Sequence, residues 1–204
     1  MGKEYQINSD TILWNQFING NQEAFRVIYN NHVQSLFRFG CHFTSDEELV
    51  KDCIHDIFIE LTKNRSGLGT TNNIKLYLLK SLKRKIIRSQ SKTGLFGTID
   101  MDKIPFLFSM SSEDELVETE SEQMVYLQLN KALSDLSPRQ KEAIYLKFIS
   151  DLSYEELSKV MQVNYQSARN LVFRGLEKLR ESFPKSLLLF FLPLKLSEIK
   201  KNNI

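Results

Sequence analysis

Two local signatures in the C-terminal half constrain the fold more tightly than any other feature of the chain. Ser137-Pro138-Arg139-Gln140 and Ser153-Tyr154-Glu155-Glu156 each place a hydroxyl at a helix start and an amide or carboxylate three residues on. In that arrangement side chain and backbone cap each other's unpaired N–H groups. Pro138 adds the residue favoured at a first helical position. The first signature predicts a helix to about Phe148, and the second a short helix with Leu157, Val160 and Met161 turned inward. After the turn Gln162-Val163-Asn164, the stripe Ala168, Leu171, Val172, Leu176 and Leu179 predicts a longer helix from about Tyr165 to Ser182. Short helix, tight turn and longer helix together make a helix-turn-helix.

The outward groups of that last helix suit a DNA groove. Gln166, Asn170 and Phe173 point away from the stripe with Glu177, and Arg169 and Arg174 flank them. Amides bond adenine edges bidentately, and arginine bonds guanine or phosphate. The expected DNA contacts here are Tyr165, Gln166, Ser167, Arg169, Asn170, Phe173 and Arg174. The plain alternative is an αα-hairpin used only for packing, with Phe173 a scattered surface apolar residue or a partner contact.

The N-terminal half is also helical. From Leu13 to Phe43 apolar residues recur at helical spacing across the break Asn19-Gly20-Asn21. Leu49, Val50, Cys53, Ile54, Ile57, Phe58 and Leu61 then form an i, i+1, i+4, i+5 repeat that leaves Asp52, His55, Asp56 and Glu60 on or beside the opposite face. Asn64 to Asn73 holds two glycines and several turn formers, so it predicts a loop with Asn73 capping a helix from Ile74. On that helix Ile74, Tyr77, Leu78, Leu82 and Ile86 share a face, and Lys75, Lys80, Lys83, Arg84, Lys85, Arg88 and Lys92 crowd the rest. A solvated face normally interleaves both signs. No acid occurs between Glu60 and Asp100, so this face is expected to bind a phosphate backbone.

Charge also divides the chain. The net charge is only +2, but residues 1–95 carry 13 basic against 9 acidic groups, residues 96–129 carry 1 against 8, and residues 130–204 carry 13 against 8. Two polyanion-binding modules joined by an acidic linker fit this pattern. The class is all-α: glycine and proline are scarce and few alternating strand patterns occur. The expected domains are 5–92, a linker 93–128 with one short apolar patch at Ile104 to Phe108 able to dock locally, 129–184, and a tail 185–204. The polar start, the lack of a membrane-length apolar run and two unpaired thiols point to the cytoplasm.

Over residues 13 to 183 the sequence resembles the extracytoplasmic-function sigma factors, a class of the sigma-70 family of bacterial RNA polymerase subunits. Asp52-Cys53-Ile54-His55-Asp56-Ile57-Phe58 is similar to the family's D-L-V-Q-E-V-F helix, which binds the polymerase clamp. Tyr77-Leu78-Leu79-Lys80 falls where the family has W-L-Y-R, opening the helix that grips the minus-ten-type element, and Asn64 to Asn73 matches the segment that captures a flipped base. Ser137-Pro138-Arg139-Gln140, Ser153 to Leu157 and Gln166 to Arg174 resemble the minus-thirty-five-binding module. His55, Tyr77, Leu171 and Gly175 depart from the usual Gln, Trp, Arg and Ala.

The resemblance implies polymerase contacts at Asp52, His55, Asp56, Ile59 and Glu60, and DNA contacts at Asn64, Arg65, Tyr77, Lys80, Lys83, Arg84, Lys85 and Arg88. It implies core RNA polymerase, promoter DNA and a membrane-associated anti-sigma factor as partners, with no cofactor, metal, small-molecule substrate or catalytic site. The runner-up is a stand-alone helix-turn-helix repressor or activator binding a palindrome as a dimer. A zinc site from Cys41, His42, Cys53 and His55 lacks finger spacing; Cys53 is expected in the core and His55 on the surface. The apolar tail Leu187 to Leu194 is too short to span a bilayer and is expected to pack or meet a partner.

Overall fold

The computed structural model describes residues 2–92, 104–107, 127–128 and 130–182, with the side chains of 2–8, 92 and 182 left aside. Most of the acidic segment and the tail Leu187 to Leu194 lie outside the described residues. Among the described residues the regular elements are helical and none is a strand. The chain divides into two compact units, Met1–Pro105 and Phe106–Ile204.

In the first unit, α1 (Gly2–Ile18), α2 (Gln22–Cys41), α3 (Glu47–Lys63) and α4 (Ile74–Lys92) pack with α2 against the other three and α3 against α4. Gly20, at φ +91°, makes the turn into α2, a conformation glycine adopts without steric cost. Asn21, Asp46 and Asn73 each accept a first-turn N–H through a side-chain oxygen, at 2.9 Å from Glu23, 3.0 Å from Leu49 and 2.7 Å from Leu76. A Cβ on Gly40 would fall 2.5 Å from Val50 Cγ1, so that glycine sets the close approach of α2 and α3. Trp14, Phe39, Val50, Ile54, Leu78, Leu82 and Ile86 fill the core, and each such side chain contributes about 1.5–3 kcal/mol by leaving water.

Lys83 does not lie on the outer face expected for it. It is 1% exposed, and its Nζ sits 5.7 Å from the ring centroid of Phe43. The cause is the breadth of the buried face of α4: Leu79 and Ile87, one turn to either side of Lys83, are buried as well. Lys83 is therefore a core residue of this unit, not a DNA contact.

In the second unit both capping boxes form. Ser137 N donates to Gln140 Oε1 at 3.0 Å and Gln140 N to Ser137 Oγ at 3.3 Å; the Ser153 and Glu156 pair closes at 2.7 and 3.2 Å. The first boxed helix, α5 (Pro138–Ile144), is shorter than expected and runs into a π-helical turn, Tyr145–Ile149, closed by Ser150 N on Tyr145 O at 3.0 Å. The wider turn keeps both Tyr145 and Leu146 buried before the chain reverses at Asp151, φ +54°. Then come α6 (Tyr154–Met161), a left-handed Gln162 and α7 (Tyr165–Ser182), whose first turn is held by Ser167 N donating to Asn164 Oδ1 at 2.7 Å. Arg139 Nη1 donates to Met161 O at 3.2 Å and ties α5 to the end of α6.

Ala132, Leu133, Leu136, Ile144 and Leu179 form the second core. At the crossing of α5 and α7 a Cβ on Gly175 would stand 2.8 Å from Ile144 Cδ1. Phe106, from the short apolar patch of the acidic segment, belongs to this unit: it is 3% exposed and meets Tyr145 edge-on, ring centroids 5.7 Å apart.

Candidate nucleic-acid interfaces

Each unit carries its own candidate surface. In the first, α3, the loop after it and α4 enclose a groove of about 590 Å³. Asn64, Tyr77, Arg84, Lys85 and Arg88 line it, with Asp56 and Glu60 on the α3 side. Asn64, Arg84 and Arg88 are exposed; Tyr77 is half-buried, its ring 5.2 Å from that of Trp14. Trp14 also fixes the loop, its Nε1–H donating to Gly69 O at 2.9 Å, while Asp10 Oδ2 accepts the Ile74 N–H at 2.9 Å. Neither long-range clamp was foreseen; the chain's single tryptophan was the one hint.

The structure does not bring all the expected residues to the groove. Arg65 is exposed but lays its guanidinium against Gly20, about 3.5 Å from where a Cβ would stand, and Lys80 is half-buried outside the groove. Lys85 is held by acids: its Nζ lies 3.2 Å from Asp56 Oδ2 and pairs also with Glu60. Burial lowers its pKa, but the two carboxylates outweigh that and leave it raised. The missing negative charge of α4 is thus supplied by α3, and the expectation of an uncompensated basic face is corrected accordingly. Asp52, His55, Asp56 and Glu60 are exposed along α3 and Ile59 is half-buried beside them. Cys53 points into the core, its Sγ 3.9 Å from Ser89 Oγ, so it and His55 occupy opposite faces.

In the second unit, Tyr165, Gln166, Arg169, Asn170, Phe173 and Arg174 are all exposed. Their spacing, i, i+1, i+4, i+5, i+8, i+9, makes one stripe along α7. Gln166 Nε2 donates to Asn170 Oδ1 at 3.1 Å, and the Arg169 guanidinium carbon stands 6.0 Å from the centroid of the Tyr165 ring. Ser167 is half-buried with its backbone N–H engaged by Asn164. Ala168 and Val172 are fully buried behind the stripe and anchor it to α6.

A short helix, a left-handed turn and a longer helix with an exposed polar and basic stripe define a helix-turn-helix protein of two helical units. The family model "Sigma-70, region 4" matches residues 126–179, which cover that motif. Among curated proteins the chain is similar to the ECF RNA polymerase sigma factor SigX of Bacillus subtilis (strain 168), 24% identical, covering 78% of this chain and 84% of that protein. It is also similar to the RNA polymerase sigma factor SigV of the same organism, 26% identical, covering 76% and 88%. Among solved structures it matches the sigma factor RpoE in complex with the anti-sigma factor NepR from Bartonella quintana, with TM-score 0.54, 19% identity and coverage of 78% and 95%, a likeness of fold. Residues 126–179 thus match a sigma-70 region 4 domain, and over most of its length the chain is similar to extracytoplasmic-function sigma factors.

Proposed function

We propose that this chain is a dissociable sigma subunit of bacterial RNA polymerase, directing promoter recognition, duplex opening and transcription initiation with no catalysis of its own. The observation that carries this reading is the exposed stripe Tyr165 to Arg174 on α7, placed by two capping boxes and a buried Ala168 and Val172 so that its amide, guanidinium and aromatic side chains meet solvent. The second unit inserts that stripe into the major groove of the upstream promoter element. The first unit grips the downstream element with the groove bearing Asn64, Tyr77, Arg84 and Arg88, and its α3 acids Asp52, Asp56 and Glu60 meet core polymerase, with His55 and Ile59 at the same contact.

Residues 5–92 and 129–184 are the working domains in this reading, and the acidic segment between them follows the polymerase surface as a nucleic-acid mimic. The sigma factor of similar fold seen with its anti-sigma factor supports regulation by such a partner. Action on RNA polymerase puts the chain in the cytoplasm in this reading; among the described residues no helix is long and apolar enough to cross a membrane. The test is to add the purified chain to sigma-free core polymerase and sequence transcript starts genome-wide. Discrete starts sharing two spaced elements are expected; absence of selective initiation overturns the proposal.

A further inference from the structure

We infer that the α7 stripe reads A·T pairs in the upstream element, with the Gln166–Asn170 amide pair on adenine and the Phe173 ring on the C5-methyl of thymine. This rests on the sigma reading above and assigns base identity to particular side chains within it.

The amides come first. The hydrogen bond from Gln166 Nε2 to Asn170 Oδ1 uses one donor of Gln166 and one lone pair of Asn170. It orients both side chains and leaves the Asn170 amide N–H groups as donors and Gln166 Oε1 as an acceptor on the same stripe. Adenine offers the complement in the major groove, an acceptor at N7 and a donor at N6. Guanine offers two acceptors, N7 and O6, so the Gln166 acceptor would face O6 without a hydrogen.

Phe173 lies one turn beyond Asn170 on the same stripe and is 59% exposed. In the major groove the apolar group that distinguishes one base from the rest is the methyl of thymine. The flanking guanidiniums of Arg169 and Arg174 suit the phosphates on either side, with Arg169 steadied over the Tyr165 ring at 6.0 Å. An amide pair followed one turn later by an apolar ring therefore matches consecutive A·T pairs better than G·C pairs.

The experiment uses the full chain on core polymerase. A promoter library randomised across the upstream element is selected for binding, and in the best promoter each thymine is replaced singly by deoxyuridine and each adenine by 7-deazaadenine. Deoxyuridine removes only the methyl, and 7-deazaadenine only the N7 acceptor. One deoxyuridine position is expected to weaken binding several-fold with the native chain and less than about twofold with Phe173→Ala. One 7-deaza position should cost about tenfold with the native chain and little with Asn170→Ala, on the scale of a bidentate base contact. Both residues are exposed, so melting temperatures should match the native chain. Equal deoxyuridine sensitivity of native and Phe173→Ala holoenzymes, or a selected element without A·T pairs, overturns the assignment while selective initiation leaves the sigma reading standing. Failure of the holoenzyme to select any promoter overturns both.

Discussion

Lys85 Nζ lies 3.2 Å from Asp56 Oδ2, joining the basic helix α4 to the acidic face of α3 at the wall of the groove. The carboxylates are more than half exposed, so this ion pair is solvent-screened and Lys85→Gln should change stability by less than about 1 kcal/mol. Arg84 and Arg88 are the groove cations in the open. Charge reversal at both, Arg84→Glu with Arg88→Glu, is expected to abolish open-complex formation while preserving the melting temperature and core-polymerase binding. Permanganate footprinting of the melted strand and co-purification with core enzyme measure the two effects.

Lys83 answers to a different experiment. Being buried against Phe43, it should lose less stability on Lys83→Met, which keeps volume, than on a reversal of its charge. Lys83→Glu buries a carboxylate where an ammonium stood and should cost about 3 kcal/mol or more. Thermal unfolding followed by circular dichroism distinguishes them, and Lys83→Met should leave promoter affinity within about twofold because the side chain does not reach solvent.

His32 gives the first unit a dependence on acidity. Burial lowers its pKa below the ordinary 6.5, with Lys75 lowering it further and Asp10 opposing. A depressed folded value means that the unfolded chain binds the extra proton more readily, so stability falls as pH drops below about 6.5 and levels off below the folded pKa. His32→Gln should flatten the melting temperature between pH 6.5 and 5; an unchanged slope would assign that loss to other groups.

Gly175 stands at the crossing of α5 and α7, and its reason is Ile144. Gly175→Ala gains helix propensity of about 1 kcal/mol but pushes a methyl into Ile144 Cδ1 at 2.8 Å, an overpacking cost of about 1–3 kcal/mol. The single variant should therefore be destabilised by about 1 kcal/mol. Adding Ile144→Val, which deletes Cδ1, should recover most of that loss, as a double-mutant cycle in urea would show.

The second unit was legible in the sequence because its signals are local. Ser137 with Gln140 and Ser153 with Glu156 act within one helical turn, and the stripe from Ala168 to Leu179 repeats at helical spacing, so helix starts and the exposed face of α7 follow directly. What escaped was set by distant partners. Lys85 finds Asp56 and Glu60 from another helix, Trp14 reaches Gly69, and Asp10 caps Ile74, all across tens of residues. The burial of Lys83 was written in its neighbours Leu79 and Ile87 at i−4 and i+4, but its charge dominated the sequence reading. The early start of α1 at Gly2 had no apolar repeat to announce it.

The seating of Phe106 against Tyr145 has a mechanical consequence. Phe106 is buried in the second unit, so loss of its ring would uncover Tyr145 inside that unit and weaken the packing behind the π-helical turn.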